Sequence, residues 1–380
     1  MSMKIIHISQ STGGVKTYVT HILNYANKNN YNFAIIAPEN AIFEEYAAKN
    51  GMPYYRLDLH RGNNPIKNLV SLFRIVAVIK KEKPDLLHVH SAKGGFLGRL
   101  AAKITNTRVI YTPHAFSYLP FTGLSRVIYY FLELLTKSST DLLLAISYSE
   151  ANRAIYELGY EKRKVKVIAN SLPVNDLPTY GKTGEKLNIR MIGRLTYQKN
   201  HMLFLEIANL LLQKYPDLQF SILGAGIHDH CTNDINHYID ENRLRDNIQI
   251  ESWGNDITSK HFLKETDIFV MTSVFEGLAF SLLEAMSFGV PCVVSKVDGN
   301  TDVINNYENG FSCLTVDEFY NKIELLINNA ELRIQIGLAG YEYVKARHSL
   351  AQSILKIEEV YDSMASYEKN ASLPAIAISN

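Results

Sequence analysis

Residues 268–295 read IFVMTSVFEGLAFSLLEAMSFGVPCVVS and predict one repeating unit of the fold. The first and last four residues of this segment are mostly apolar runs of strand length. Between them, an apolar pattern with helical spacing covers residues 280–288 and ends at Gly289 and Pro291, two residues that terminate helices. A strand, a helix and a second strand in this order predict two parallel strands connected by a helix.

The same alternation of strands and helices extends along most of the chain. Before residue 170 it predicts strands at 4–9, 33–37, 86–90, 109–112, 142–146 and 165–168. After residue 187 it predicts strands at 188–192, 219–223, 248–251, 268–271 and 292–295. The predicted fold is therefore α/β, with two Rossmann-like doubly wound domains that face a cleft.

The domain limits follow from composition. Residues 171–186 hold two prolines and two glycines, and we interpret them as a linker between a domain at 1–170 and a domain at 187–350. We expect the last helix, at about 351–370, to cross back to the first domain.

The overall composition favours a globular protein. Of 380 residues, 47% are hydrophobic and 20% are charged, which excludes wholesale disorder and a coiled coil. No apolar run reaches the roughly 18 residues of a membrane-spanning helix, and the N-terminal MSMKIIHIS lacks the apolar core of a signal peptide. Cys231, Cys292 and Cys313 are read as reduced thiols. We expect a cytoplasmic protein.

Charge is distributed unevenly between the two predicted domains. Residues 1–170 carry 22 Lys and Arg against 11 Asp and Glu, a balance of +11, and the remainder carries −10. Either the first domain faces an anionic surface or ligand, or the two domains have drifted in composition. The apolar loop at 117–123 either touches a bilayer interface at the inner face of the cytoplasmic membrane or is buried.

Two glutamates near a predicted helix N-terminus give the strongest chemical signal. Glu276 and Glu284 are separated by seven residues, the first on the loop after a strand and the second one turn into the helix. Backbone N–H groups at 278–281 lie between them, where a helix N-terminus favours phosphate. This arrangement suits a ligand with phosphates in its middle and hydroxyls at both ends, such as a nucleotide sugar. The alternative is two solvated helix glutamates.

Two basic residues follow the first strand of the second domain. The loop GRLTYQKN at 193–200 places Arg194 and Lys199 at a strand end. A guanidinium and an ammonium group together can neutralise a leaving diphosphate, although two ordinary surface bases would show the same spacing.

These motifs together resemble retaining glycosyltransferase family 4, whose members have the two-domain GT-B architecture. The resemblance rests on Gly-Arg-x4-Lys at 193–199 and on the glutamate pair in its EGL…LLEAM context. The early Gly13-Gly14, the segment HVHSAKGG at 88–95 and YTPH at 111–114 are similar to polysaccharide-building members. The resemblance covers nearly the whole chain.

The resemblance implies a role for each matching residue. Glu284 would accept hydrogen bonds from the ribose hydroxyls, and Glu276 would bind hydroxyls of the transferred sugar. Arg194 and Lys199 would hold the diphosphate, together with the backbone at Leu278, Ala279 and Phe280. Gly13 and Gly14 would bring backbone N–H groups to the distal phosphate or the acceptor.

His114 would contact the donor sugar near the reaction centre; otherwise it is a structural histidine. Several positions depart from the family pattern, so the resemblance does not identify the transferred sugar. These positions are Ala115, Ala279, Asn170-Ser171 and Asp302.

Other features carry weaker signals. Gly224-Ala225-Gly226 lacks the third glycine of a dinucleotide fingerprint, and we read it as a loop near the nucleotide base. A metal site at His228, His230 and Cys231 is disfavoured because neighbouring ligands on one loop converge poorly. His88 and His90 are expected to place one side chain in the core and the other in the cleft.

We predict a retaining glycosyltransferase that needs neither a metal ion nor a cofactor. It would transfer a hexose-type sugar from a nucleotide diphosphate donor, UDP rather than GDP, to a saccharide or polyprenyl-diphosphate-linked acceptor in bacterial capsule or other surface polysaccharide synthesis. No nucleic-acid partner is expected. The alternatives are a nucleotide-sugar epimerase or hydrolase on the same fold, and a non-catalytic sensor of nucleotide sugars.

Overall fold

The chain forms two parallel sheets, and each sheet is the centre of a separate folding unit. The computed structural model describes residues 2–10, 13–59, 64–174, 186–225, 231–252 and 258–366. The first unit contains the residues up to Asn170 and, after the second unit, the C-terminal helix that begins at Leu350. The second unit spans Ser171–Ser349.

The first unit has a seven-stranded sheet in the order β3-β2-β1-β4-β5-β6-β7, and every pairing is parallel. Its strands are β1 (Met3–Ile8), β2 (Tyr31–Ala37), β3 (Tyr54–Arg56), β4 (Leu86–His90), β5 (Arg108–Thr112), β6 (Leu142–Ala145) and β7 (Val165–Val167). Its helices are α1 (Gly13–Tyr25), α2 (Ala41–Asn50), α3 (Pro65–Glu82), α4 (Ala92–Thr105), α5 (Gly123–Lys137) and α6 (Tyr148–Asn152). Parallel strands buried on both faces explain the continuous apolar run of β6.

The C-terminal helix α13 (Leu350–Ser366) packs on the first unit. The hydroxyl group of Tyr361 lies 2.8 Å from Nδ1 of His88, and the hydroxyl of Tyr31 donates to Asp362 at 2.7 Å. Tyr361 is fully buried, so this helix contributes to the core of the first unit as well as covering it.

The second unit has a six-stranded parallel sheet in the order β10-β9-β8-β11-β12-β13. Its strands are β8 (Asn188–Ile192), β9 (Gln219–Ala225), β10 (Ile248–Ser252), β11 (Ile268–Met271), β12 (Cys292–Ser295) and β13 (Phe311–Cys313). Its helices are α7 (His201–Lys214), α8 (Thr232–Glu241), α9 (Ser259–Lys264), α10 (Phe280–Ser287), α11 (Val316–Asn328) and α12 (Ala330–Arg347). The strand order changes direction between the adjacent strands β8 and β11. Ligands usually bind at such a switch point of a doubly wound sheet.

The prediction of two doubly wound α/β domains is confirmed, and three short elements were missed. The strands β3 and β13 have three residues each, too few to produce a clear periodicity. The helix α6 has five residues and then continues as a π-helix at Arg153–Glu157, whose wider turn interrupts the α-helical period. Most of the predicted linker, residues 175–185, lies outside the described residues, as do the C-terminal residues from 367 onward.

The apolar loop at 117–123 packs inward. Tyr118 is 1% exposed and stacks against Phe116, and the ring of Phe121 stacks on Tyr129 at 4.3 Å between centroids. The structure thus favours the buried alternative for this loop. Among the described residues, no helix combines the length and the apolar character needed to cross a bilayer.

Candidate functional site

Two loops in the second unit bring together residues that were predicted to bind different parts of the ligand. The strands β8 and β11 are adjacent and parallel, so the loops that follow them, 193–200 and 272–276, leave the same edge of the sheet. The backbone N–H of Val274 donates to the carbonyl of Gln198 at 2.8 Å, and the side chain of Gln198 donates to the carbonyl of Phe275 at 3.1 Å. The Thr272 hydroxyl lies within 3.0 Å of two further carbonyls of the first loop, those of Lys199 and Asn200.

This joining of the loops places Lys199 against Glu276. The Nζ atom of Lys199 lies 2.6 Å from Oε1 of Glu276. The side chains are only 14% and 7% exposed, so the pair is largely removed from water. The sequence analysis assigned Lys199 to the phosphate and Glu276 to the sugar. In the structure these two residues form one ion pair.

The close approach of these loops depends on two glycines. A Cβ atom on Gly193 would lie 2.9 Å from Cγ of Lys199, and a Cβ on Gly224 would lie 1.8 Å from the carbonyl oxygen of Gly193. The second distance is impossible without moving the backbone, so Gly224 sets the position of the loop after β8. Gly226, on the other side of Ala225, lies outside the described residues.

The helix α10 begins beside Glu276 with no side-chain cap. Its N-cap residue is Ala279, which offers no side-chain acceptor, and its first turn contains no acidic residue. An uncapped helix N-terminus carries partial positive charge and attracts anions. Leu278 and Ala279 are buried, and Phe280 is nearly so, which shelters this end of the helix from water.

Glu284 lies one turn into α10 and is half-buried. Burial raises the pKa of its carboxyl group to about 7, although a hydrogen bond from Ser259 opposes the shift. A ligand hydroxyl that donates to this carboxylate would favour its charged form. Arg194, which belongs to the same sequence motif as Lys199, is half-buried on the loop after β8.

The second predicted group of site residues lies in the first unit. Gly13 and Gly14 open α1, Gly13 has a positive φ of 56°, and the first turn of the helix contains no acidic residue. His114 and Ala115 follow β5 and both have positive φ, 54° and 76°. Positive φ is unfavourable for residues with a Cβ and recurs at functional sites.

A buried glutamate holds this strained turn in place. Glu150 of α6 accepts a hydrogen bond from the backbone N–H of Ala115 at 2.7 Å and another from Ile146 at 2.9 Å. The Glu150 side chain is 3% exposed, so these bonds are not weakened by competition with water.

Behind His114 lies a cluster of three buried histidines, His7, His88 and His90. The expectation that His88 and His90 would point in different directions is wrong. Their ring centroids are 4.2 Å apart, because residues two apart on a strand share one face of the sheet. The ring of Tyr18, from α1, packs edge-on against His114 at 4.9 Å.

Burial keeps these imidazoles neutral. It lowers the pKa of His7 and of His114 to about 3, and the pKa values of His88 and His90 lie well below the usual 6.5, again mainly through burial. His114 is therefore a neutral hydrogen-bonding ring at ordinary pH.

Several residues of these two groups were not identified from the sequence. Gln198 and Thr272 join the loops of the second unit; Glu150, Tyr18 and His7 support the turn of the first unit. Only Gln198 lay inside a recognised motif, whereas the others come from elements distant in sequence. Of the disfavoured metal-binding group, His228 and His230 lie outside the described residues.

Two doubly wound units, one of them with basic and acidic side chains at its sheet edge, agree with the GT-B architecture predicted from the sequence. Two family models match: Glycosyltransferase Family 4 over residues 12–175, and Glycosyl transferases group 1 over residues 176–343. Together they span most of the chain, which belongs to glycosyltransferase family 4 and is a glycosyltransferase.

Individual relatives agree with this assignment. The chain is 29% identical over 352 residues to an Escherichia coli UDP-Gal:alpha-D-GlcNAc-diphosphoundecaprenol alpha-1,3-galactosyltransferase, covering 88% of this chain and 89% of the relative. It is 23% identical to the capsular polysaccharide biosynthesis glycosyltransferase CapM of Staphylococcus aureus, covering 78% and 81%. The crystal structure of Anabaena HepE in complex with UDP and glucose has the same fold, with a TM-score of 0.79, 18% identity, and coverage of 95% of this chain and 100% of that one.

Proposed function

We propose that this glycosyltransferase transfers a hexose from a UDP-sugar to a polyprenyl-diphosphate-linked saccharide in bacterial surface polysaccharide synthesis. The observation that carries the proposal is the Lys199–Glu276 pair beside the uncapped N-terminus of α10. It combines a cation for the diphosphate with a carboxylate for the sugar hydroxyls. The Escherichia coli relative is named for a UDP-sugar donor and a lipid-linked acceptor, which supports the choice of substrates.

We further propose that transfer retains the configuration at the anomeric carbon and needs no metal ion. The bond between the anomeric carbon and the diphosphate oxygen breaks first, and Lys199, Arg194 and the α10 N-terminus stabilise the departing charge. The acceptor hydroxyl oxygen then bonds to the anomeric carbon from the same face. Its proton passes to the leaving phosphate. Gly13 and Gly14 would bind the distal phosphate or the acceptor, and His114 would donate to or accept from the transferred sugar.

Transfer can be tested with UDP-galactose and other UDP-hexoses, with and without a polyprenyl-diphosphate-linked N-acetylglucosamine acceptor. We expect fast UDP release only with the acceptor, an axial anomeric linkage by NMR coupling constants, and the same rate in excess EDTA. Fast release without acceptor would indicate a hydrolase. Binding without release under any condition would indicate a sensor, and an equatorial linkage or loss of activity in EDTA would contradict the retaining, metal-independent mechanism.

The acceptor is lipid-linked in this proposal, and two helices of the first unit favour docking on an anionic bilayer. On α5, five apolar side chains are 47–75% exposed: Leu124, Val127, Ile128, Phe131 and Leu135. On α3, four more are 46–73% exposed: Ile66, Leu69, Val70 and Phe73. Both helices pack against α4. Apolar side chains alternating with basic ones are typical of helices that lie in a membrane interface.

The charges on these helices have the sign that this surface requires. The one acidic residue of α5, Glu133, is buried in an ion pair with Arg99, while Arg126 is exposed. On α3 the exposed Lys67, Arg74, Lys80 and Lys81 outnumber the single acid, Glu82, which pairs with Lys4.

Docking can be tested by sedimentation with vesicles that contain anionic lipid. We expect Leu124→Ser combined with Phe131→Ser to lower the vesicle-bound fraction severalfold without changing the circular dichroism spectrum. The matched control is Leu314→Ser in the second unit. Leu314 is 66% exposed, so this variant also replaces an exposed leucine by serine, but away from α3 and α5. Equal binding of the wild-type chain and the double variant would contradict docking through α5.

A further inference from the structure

A chain of hydrogen-bonded imidazole rings leads from the interior of the first unit to His114. Nδ1 of His7 lies 3.0 Å from Nε2 of His90, and Nδ1 of His90 lies 3.2 Å from Nε2 of His114. The three residues come from β1, from β4 and from the turn after β5. Both ring nitrogens of His90 are thus used within the chain.

The number of protons on the three rings allows only two hydrogen-bonding arrangements of His7, His90 and His114. Each neutral ring carries one N–H, so His90 donates either to His7 or to His114. If His90 donates to His7, then His114 donates through Nε2 and the remaining N–H of His7, on Nε2, must find another acceptor. If His90 donates to His114, then His7 donates to His90, and Nε2 of His7 carries only a lone pair.

The surroundings of His7 decide between the two arrangements. Its Nε2 atom is fully buried and has no hydrogen-bond partner among the described residues. A buried N–H without an acceptor is costly and rare, whereas an unsatisfied buried lone pair occurs more often. The second arrangement, in which every N–H of the chain is satisfied up to His114, is therefore favoured.

We propose that His90 and His7 are positioning residues that fix His114 as the Nδ1–H tautomer. Nε2 of His114 accepts from His90, and its Nδ1–H faces the ligand as a neutral hydrogen-bond donor. Among the described residues, no group bonds to Nδ1 of His114. This inference rests on the proposed role of His114 toward the transferred sugar, and it narrows that role: the ring donates to a sugar oxygen and cannot take a proton at Nδ1.

A metal ion held by His7, His88 and His90 is the competing explanation, because one nitrogen of each ring lies within 4.8 Å of the others. Two features argue against it. The 3.0 Å separation of the His7 and His90 nitrogens is a hydrogen-bond distance. In addition, both nitrogens of His88 are already used, one by the hydroxyl of Tyr361 at 2.8 Å and the other by the hydroxyl of Thr112 at 2.9 Å.

The tautomer can be read directly by long-range ¹H–¹⁵N correlation on protein labelled with ¹⁵N-histidine. The resonances of His114 are assigned by their loss in His114→Gln. We expect a protonated Nδ1 and an unprotonated Nε2 for His114 in the wild-type chain. In His90→Phe, which removes the donor, we expect a mixture of tautomers and a decrease in transfer rate of about tenfold, equivalent to one hydrogen bond.

The matched control is His88→Phe, since His88 is equally buried on the same face but does not bond to His114. It should leave the His114 tautomer unchanged. If His90→Phe does not fold, His7→Phe serves instead, and the wild-type spectrum is decisive alone. An Nε2–H tautomer of His114 in the wild-type chain, or one equivalent of bound zinc that is lost in His7→Phe, would overturn the proposal. A correct tautomer with no effect of His114→Gln on transfer would instead overturn the proposed role of His114.

Discussion

At the scale of single residues, the candidate site depends on charged groups that are removed from water. Lys199 and Glu276 are a largely buried pair, and removing one partner leaves the other uncompensated. The sequence predicts both residues as ligand-binding groups but not their contact. That contact arises from two loops joined by backbone and side-chain hydrogen bonds between residues more than 70 positions apart.

Lys199→Met should therefore lower both activity and stability. We expect transfer to fall about 10²–10³-fold because the diphosphate loses a cation, and the free energy of unfolding to fall by about 3 kcal/mol because Glu276 is left unpaired. Adding Glu276→Gln should restore most of the stability but none of the activity. Urea unfolding and a transfer assay provide the two measurements.

The matched control for this pair is Lys214→Met, which breaks the ion pair between Lys214 and Glu324. The side chain of Lys214 is 61% exposed. It should cost less than about 1 kcal/mol. If Lys199→Met were as stable as Lys214→Met and fully active, the pair would have neither role.

Glu284 should make donor binding depend on pH. Its pKa of about 7 means that the carboxyl group is half protonated at neutral pH, and the ionised form accepts hydroxyl hydrogen bonds much more strongly than the protonated form. Binding therefore lowers this pKa and releases a proton, and affinity decreases as the pH falls through 7. Between pH 8 and pH 6 we expect the affinity for a UDP-sugar to drop about tenfold.

Calorimetric titration with an intact UDP-sugar measures this dependence, because a diphosphate esterified at both ends does not itself titrate in that range. Glu284→Gln should bind more weakly and without the pH dependence. A Glu284→Gln variant that keeps the wild-type pH profile would show that another group titrates.

At the scale of elements, the sequence predicts what is periodic and misses what is short or held by distant contacts. The boundaries of β4, β8, β11 and β12 agree residue by residue with prediction, since each is a predominantly apolar segment of strand length. The turn after β5 could not be predicted in this way. It is held by Glu150 of α6, a helix that was not predicted because it changes to a π-helix after five residues, and its φ values reflect tertiary contacts.

This turn provides a prediction on stability. Ala115 has a φ of 76°, a conformation in which alanine is strained and glycine is not. The hydrogen bond from its backbone N–H to Glu150 does not involve the methyl group, so Ala115→Gly keeps it. We expect the substitution to stabilise the chain by about 0.5–1 kcal/mol in urea unfolding.

The control for Ala115 is Ala77→Gly, at an exposed position within α3, which should destabilise by about 1 kcal/mol. If both glycine variants were destabilised to the same extent, the strain assigned to the turn would be absent.

At the scale of the whole molecule, the opposite charges of the two units suggest different environments for them. The first unit, residues 1–170 and 350–380, has 24 Lys and Arg against 15 Asp and Glu, a balance of +9, and the second unit has 15 against 23, a balance of −8. The exposed apolar side chains of α3 and α5 belong to the basic unit. From composition alone, a random drift of charge between the domains explained the asymmetry equally well. Composition also could not show that these apolar side chains are exposed, because only the folded helices distinguish exposed apolar positions from buried ones.

If the basic unit docks on an anionic bilayer, binding should depend on both lipid charge and salt. Each Lys or Arg near such a surface contributes about 1 kcal/mol, and salt screens this attraction over roughly 10 Å at 0.1 M. We therefore expect the full chain to sediment with anionic vesicles at low salt, to be released severalfold at high salt, and to bind neutral vesicles weakly at both. Strong, salt-independent binding to neutral vesicles would assign the interaction to the apolar side chains of α3 and α5 alone. Negligible binding in all four conditions would leave the charge asymmetry as a matter of composition, and a soluble saccharide would then be the better acceptor to test.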